Sequence, residues 1–432
     1  MAIVDQGPLG GLCILRGCMP TKTMLRTAEV ASLIRRAAEF GLSPVAVKAE
    51  LKAIVARKDR LVQEFADYRI SQLRDPRFTL YEQAARFLSS EEIEAGPYRL
   101  TAKAFILATG SVPSEVAVPG LDETGFVTSD QLLDERDQPA SLVVLGGGPV
   151  ALEFGQFFAR IGTKVAIVQR SRHLLSHLDP DVGAALEPAL KEDGVDLFTD
   201  TALQRVRGRR GAIQVQFTQQ GTTKTVDGER ILQALGRRPN VSGLNLPAAG
   251  VDLRDGRVVV DGAMRTSQRH IFAAGDVTNL YDIVHIAIQQ GELAAYNACH
   301  PDGPARQFDD RLVTEVIFTD PQVAVVGLSE TACRSRQIPF LTASYPFSDH
   351  GKAMCRGDHH GFVKLLASPD GGQVLGAQIV GPEAGELIHE LIAVLYYRGT
   401  VFDLLRMPHY HPTLAEILTY PAEALAEQVT TR

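Results

Sequence analysis

The sequence predicts an α/β protein carrying dinucleotide-binding units, and three observations predict it. Residues Ser141–Leu145, Ser-Leu-Val-Val-Leu, form a pattern that reads as a buried strand. Gly146-Gly147-Gly148-Pro149-Val150-Ala151 follows, then a helix-like stretch over 152–161 and a second apolar strand, Lys164–Val168. That is Gly-x-Gly-x-x-Ala set between a strand and a helix, the context such a turn requires. A short apolar run, Ala2–Val4, reads as a further strand that ends at Asp5; an acid at the end of the second strand of a dinucleotide fold can bond a ribose, but a lone Asp after a strand is weak evidence by itself. The length, 432 residues with 45% hydrophobic and 22% charged residues, suits two or three globular domains.

Taken in order, the next segment is Gly10-Gly11-Leu12-Cys13, four residues, then Cys18-Met19-Pro20-Thr21-Lys22. Five residues of regular helix rise about 7.5 Å, whereas a disulfide needs Cα atoms within about 7 Å. Cys13 and Cys18 can therefore pair only across a distorted turn, which Gly17 makes cheap. Residues 19–40 read as a helix with Cys18 at its start, where backbone N–H groups favour a thiolate. The alternative is two free cysteines of a cytosolic protein. A second helix is expected over 50–75. Residues 98–107 alternate and end in Ala108-Thr109-Gly110-Ser111, and Pro113 and Pro119 mark a connection.

In the central turn, Gly146 and Gly148 allow close approach of a pyrophosphate to the helix start. The second strand ends in Gln169-Arg170-Ser171-Arg172, with no carboxylate to repel a 2′-phosphate. Arg170 and Arg172 can bind that phosphate, so NADPH is expected over NADH. The competing reading has one or both arginines merely facing solvent.

Further on come Leu235-Gly236-Arg237-Arg238-Pro239-Asn240 and Ile271-Phe272-Ala273-Ala274-Gly275-Asp276-Val277, then an expected helix over 283–291 with His285 at its start. Phe318-Thr319-Asp320-Pro321-Gln322 opens the C-terminal region, which closes with His409-Tyr410-His411-Pro412-Thr413-Leu414-Ala415-Glu416. His411 suits acid–base work because an imidazole titrates near neutrality. Thr413-x-x-Glu416 is equally a helix capping box.

The net charge of −7 gives no nucleic-acid surface. Five cysteines are too few for a secreted disulfide framework; Cys299, Cys333 and Cys355 are isolated. The first residues lack the regions of a signal peptide, and no apolar run is long enough to span a bilayer. A cytoplasmic protein is expected, with no metal site, no membrane and no nucleic acid as partner.

These motifs, in this order, resemble the class I pyridine nucleotide-disulfide oxidoreductase family, which includes dihydrolipoamide dehydrogenase, glutathione reductase and mercuric reductase. The resemblance spans essentially the whole chain. It implies two Rossmann-like domains, for FAD and NAD(P), and a C-terminal α+β dimerisation domain. The expected boundaries are 1–135 and 256–308 for the FAD domain, 136–255 for the NAD(P) domain and 309–432 for the interface domain. Cys13 and Cys18 match the redox disulfide: the first exchanges with substrate, the second lies against the flavin. His411 and Glu416 match the acid–base pair, which acts on the other subunit's disulfide in a homodimer. His409 lacks the following Pro-Thr and the Glu spacing, so it is the weaker base.

The cofactor residues implied are Asp5, Gly11, Lys22, Thr109, Gly110, Gly275 and Asp276 for FAD. Gly146, Gly148, Arg170, Arg172 and Gly236 serve the nicotinamide domain, and Glu153 is expected to hold Lys22 near the flavin. His285 stands where many relatives carry proline or alanine; of flavin contact and space-filling, space-filling is favoured.

Two departures stand out. Only nine residues precede Gly10, and the family's opening strand and FAD glycine loop are not among them. That strand is central in a parallel sheet, so the chain is expected to bind FAD poorly or to fold poorly. A start placed too far downstream, or a truncation, is the expected cause. Leu12 also replaces the threonine that contacts FAD in relatives. The expected function is FAD-dependent, NAD(P)H-linked reduction of a small disulfide. The alternatives are dihydrolipoamide oxidation with NAD, and a non-catalytic, FAD-less dimeric homologue. Mercuric reductases and the larger thioredoxin reductases carry further C-terminal redox residues; the last cysteine here, Cys355, disfavours both.

Overall fold

The structure, a computed structural model, describes residues 1–430, so the last two residues of the expected interface domain lie outside it. The chain forms two compact units. The first comprises Met1–Thr23, Ala56–Val116 and Leu235–Asp309; the second comprises Met24–Val55, Ala117–Ala234 and Asp310–Arg432.

In the first unit, short apolar strands pair in parallel: Ala2–Val4 with Thr79–Tyr81, and Phe105–Leu107 with Ile271–Ala273. They form two separate pairs rather than one ladder. The alternating run 98–107 is split. Tyr98–Thr101 joins an antiparallel sheet with Glu92–Ala95 and Ala85–Phe87, while Phe105–Leu107 joins the parallel pair. The physical reason is burial: Tyr98–Thr101 lies largely exposed, whereas Ile271–Ala273, the partner of Phe105–Leu107, is wholly buried. The core gathers Phe87, Ile93, Leu107, Leu246, Ile271 and Val277. Helix Val284–Cys299 runs further than the expected 283–291.

The helix that opens on Cys18 runs to Arg35 and tightens into a 3₁₀ turn over Arg36–Phe40. It stops at Gly41, whose φ of +73° suits a residue without Cβ. The second helix spans Leu51–Leu73.

The second unit holds a parallel sheet in the order Asp196–Phe198, Lys164–Val168, Ser141–Leu145, Arg230–Gln233. Helices Pro149–Arg160 and Pro180–Glu192 flank its sequence. After their first residues, Lys164 and Ser141, the two central strands are apolar and buried, as strands covered on both faces are. A five-stranded antiparallel sheet follows, ordered Thr314–Ile317, Gln322–Gly327, Val374–Gly381, Phe362–Ala367, Leu341–Pro346. Its core, with Phe347, Ile379, Ile388, Leu391 and Leu418, includes residues of helices Ala384–Tyr396 and Thr419–Ala426.

Candidate functional site

Cys13 lies in the short helix Leu12–Arg16, and Cys18 starts the next helix. Between them Gly17 has φ −125° and ψ −111°. A Cβ there would come within 3.0 Å of the Cys13 Cα and 3.2 Å of the Leu12 carbonyl oxygen. A side chain there would crowd the turn, so glycine eases the tight fold-back that the cysteine spacing demands. Both are half-buried and are not joined in a disulfide here. A hydrogen bond with Cys18, then burial, then the negative charge at Cys18 hold the Cys13 thiol far above the usual range, against the pull of Lys22.

Elsewhere in this unit, Thr109 donates its hydroxyl to the Asn240 carbonyl (2.7 Å), and Asn240 donates its amide to the Thr109 carbonyl (3.2 Å). Strands Ser111–Pro113 and Arg237–Pro239 pair antiparallel, so two motifs far apart in sequence meet. Gly236, at φ +107°, accepts from the Ser114 N–H. Ser111 donates to Asp276 (2.6 Å), and Arg237 donates to both the hydroxyl and the carbonyl of Ser111 (2.8 Å each). Gly275, at φ +76°, donates its N–H to Gln290 (2.7 Å). Burial and the Asp276 charge push the neighbouring Asp282 carboxyl up to about 6, against Arg237. Ser111, Arg237, Gln290 and Asp282 were not singled out from the sequence. The only available signal was the position of the first two beside Gly110 and Gly236.

Asp5 ends its strand and accepts from the Gly7 N–H (2.8 Å). Gly11, at φ +83°, precedes the Cys13 helix with open space where a Cβ would stand. Lys22 follows on the Cys18 helix. His285 is exposed in the first turn of its helix, so it does not fill space within this chain.

The residues of this unit suit a flavin. Gln290 has a buried Nε2 with no partner, and Ile106, Val284 and Ile288 stand 40%, 42% and 56% exposed, apolar surface that a planar ring system would cover.

In the second unit the glycine turn has the geometry its motif requires. A Cβ on Gly146, at φ +120°, would meet the Ala234 carbonyl oxygen at 2.3 Å. Gly148 caps helix Pro149–Arg160, with Pro149 in its first turn. Glu153, on that helix, is buried and accepts from the Phe318 N–H (2.9 Å). Lys22 and Glu153 belong to different units. Arg170 and Arg172 are exposed beyond the strand end, and Arg172 has only a 3.8 Å contact with Asp200.

The C-terminal pair is assembled. His411 Nδ1 lies 2.9 Å from Glu416 Oε1, while Thr413 donates its N–H to Oε2 (2.8 Å). That N–H and the His411 ring hold the Glu416 carboxyl below its usual range, against burial. The capping box and the dyad are thus both present, one on each carboxylate oxygen. The His411 side chain is 82% exposed. His409 instead has Nε2 on Glu390 (2.9 Å) and Nδ1 on the Met407 carbonyl (3.0 Å), so both nitrogens are occupied.

Among the described residues, no helix is long and apolar enough to cross a membrane. Comparisons with known proteins agree with this geometry. Residues 1–291 match the pyridine nucleotide-disulphide oxidoreductase family, and residues 313–422 match its dimerisation domain. A mercuric reductase of Bacillus cereus is 33% identical over 96% of this chain, which spans 66% of that protein. A dihydrolipoyl dehydrogenase of Thermus scotoductus is 34% identical over 98% of this chain and 92% of its own. The crystal structure of LpdA from Mycobacterium tuberculosis superposes with a TM-score of 0.88 at 28% identity, covering 98% of this chain and 93% of that one. The chain belongs to the pyridine nucleotide-disulphide oxidoreductase family of flavoenzymes.

Proposed function

We propose that the chain is an FAD-dependent disulfide reductase that uses Cys13 and Cys18 as its redox pair and His411, oriented by Glu416, as its acid–base group. The observation that carries this is the pair of hydrogen-bonded thiols at a helix start. When bound, FAD accepts a hydride from the nicotinamide and delivers an electron pair to the cysteine disulfide. Asp5, Gly11, Lys22, Thr109, Gly110, Gly275 and Asp276 would hold it. Gly146, Gly148, Glu153 and Gly236 would shape the nicotinamide site. The domain reading is 1–135 with 256–308 for FAD, 136–255 for NAD(P) and 309–432 for the interface of a homodimer.

The substrate chemistry then belongs to the chain's own residues. His411 takes the proton of the Cys13 thiol, the thiolate so formed attacks one sulfur of a small disulfide, the S–S bond breaks, and the departing thiolate takes that proton back from His411. The Cys18 thiolate attacks the Cys13 sulfur of the mixed disulfide, the bond to the substrate sulfur breaks, the second thiolate leaves and takes a proton from solvent, and the Cys13–Cys18 bond is restored. Glu416 keeps the His411 ring oriented through both steps. In the homodimer, His411 of one copy serves the disulfide of the other. Run in reverse toward NAD, the same residues oxidise a dihydrolipoyl group; the Thermus scotoductus relative favours that second reading.

The visible spectrum tests the proposal. The purified chain should be yellow and gain long-wavelength absorption with one equivalent of NADPH under anaerobic conditions. A protein that stays colourless with added FAD would overturn it in favour of a non-catalytic homologue.

The nicotinamide preference has its own test. Arg172→Ala should raise the KM for NADPH roughly tenfold while leaving that for NADH unchanged. A parallel change in both, or NADH clearly superior in the parent, removes the phosphate-binding role.

A further inference from the structure

His411 stands on a segment with little backbone support. Helix Val401–Arg406 ends at Met407, and regular structure resumes only with the 3₁₀ turn Leu414–Leu418. Pro408 and Pro412 have no N–H to give. Among the described residues, the N–H groups of His409, Tyr410 and His411 donate to no backbone carbonyl. The Tyr410 ring is 81% exposed and anchors nothing.

The His409 side chain is the exception, at 9% exposed. Its Nδ1 lies 3.0 Å from the Met407 carbonyl oxygen, two residues back, and its Nε2 lies 2.9 Å from Glu390 Oε1. Hydrogen bonds at both ring nitrogens fix the orientation of the ring as well as its place. Glu390 belongs to helix Ala384–Tyr396, which is seated by the buried Ile388, Leu391 and Leu395 and packs on strands Gln322–Gly327 and Val374–Gly381. The tie therefore runs from a firmly packed helix to a point two residues short of His411. Two residues of chain span at most about 7 Å, so placing His409 confines His411. From the other side, Glu416 orients the His411 ring (2.9 Å). Glu390 itself is 28% exposed, and half-open pairs of this kind add little to global stability. What this one fixes is the place of the segment.

We propose that His409 is a positioning residue for the disulfide chemistry: through Glu390 it anchors the segment that carries His411 to helix Ala384–Tyr396. This rests on the reading of His411 as the acid–base group. His409 touches no reacting atom in this account. It acts by holding His411 where a proton can pass, and a displacement of about 1 Å at such a site can cost as much as a hundredfold in rate.

The test is a double-mutant cycle read by thiol–disulfide exchange, which needs neither flavin nor nicotinamide. Cys299 and Cys355 are exposed, so the full-length chain carries Cys299→Ser and Cys355→Ser in every sample. It is reduced with dithiothreitol, desalted under anaerobic conditions and mixed with 5,5′-dithiobis(2-nitrobenzoate) at neutral pH. Glu390→Leu should slow the exchange roughly tenfold or more. Glu390→Gln, whose amide oxygen still accepts from the ring, should recover most of that rate. In a His411→Gln background, Glu390→Leu should change the rate by less than about twofold, because the residue through which it acts is already gone. His409→Gln cuts the same tie from the other end and should behave as Glu390→Leu does, so the cycle can be closed with either variant if the other does not fold. An equal loss in both backgrounds overturns the proposal, since a general disturbance of the fold would not depend on His411. Loss in His411→Gln with none in Glu390→Leu or His409→Gln overturns it alone and leaves the acid–base reading standing. A His411→Gln chain that exchanges at the parent rate overturns that reading, and the positioning role falls with it.

Discussion

Cys18→Ser should lose disulfide reduction by at least ~1000-fold while still oxidising NADPH with ferricyanide as acceptor. The expected separation follows from the geometry of the pair. The hydrogen bond with Cys18 and burial hold the Cys13 thiol above its usual range, and the first sulfur depends on the second as its hydrogen-bond partner and as its return nucleophile. A serine keeps the size and a hydrogen bond but cannot form an S–S bond, so electrons reach the cofactor and stop there. Cys13→Ser should fail equally with disulfides. The measurement is steady-state NADPH consumption with lipoamide, glutathione disulfide or mercuric ion offered in turn, against ferricyanide as the control. Parent activity with one of these, lost in both variants, identifies the substrate class and the redox pair together. Unchanged disulfide reduction in Cys18→Ser would remove the pair from the mechanism.

The parts of the site that the sequence announced are those whose signal is local. Cys13 and Cys18 are separated by one turn of chain, and Gly17 lies between them for a steric reason that spacing alone implies. Gly146 and Gly148 sit in a strand–turn–helix whose apolar runs are unmistakable, and the observed strands match the expected ones. His411 and Glu416 are five residues apart and do meet. What stayed hidden is made by packing between distant segments. Ser111 meets Arg237 across 126 positions and Asp276 across 165. No periodicity records such a contact. The split of 98–107 into strands of two sheets was hidden too, because an alternating run specifies a strand but not its partner.

The largest effect on stability should come from Asp179, which appears in the sequence only as an acid before a proline. It precedes helix Pro180–Glu192 and is 2% exposed. Its carboxylate accepts from the N–H groups of Glu330 (2.9 Å) and Thr331 (3.0 Å), the Thr331 hydroxyl (2.6 Å) and the Gln378 amide (2.8 Å). Lys364, itself buried, lies 3.4 Å away and also reaches Asp181 (2.7 Å) and Glu330 (3.2 Å). These contacts tie the helix after the dinucleotide strands to three elements of the C-terminal sheet region. Asp179→Ala leaves four donors and a buried ammonium short of their acceptor and should cost about 3–5 kcal/mol.

Lys364→Met should cost less, about 1–2 kcal/mol below that figure, because Asp179 keeps its four hydrogen bonds and methionine fills the stem's volume. The double variant should be less damaging than the sum, since each change removes the other's penalty. Acid adds an independent signature. Burial alone would raise the Asp179 carboxyl, but Thr331, Glu330 and Lys364 outweigh it and hold it down at about 2. An unfolded aspartate titrates at about 3.9. The folded value is the lower one, so the stabilisation is complete above about pH 4 and drains away as pH falls toward 2. Urea denaturation across that range should show the loss in the parent and a flatter curve in Asp179→Asn. Equal acid sensitivity in both, or an Asp179→Ala protein as stable as the parent, would mean that this carboxylate does not hold the two segments together.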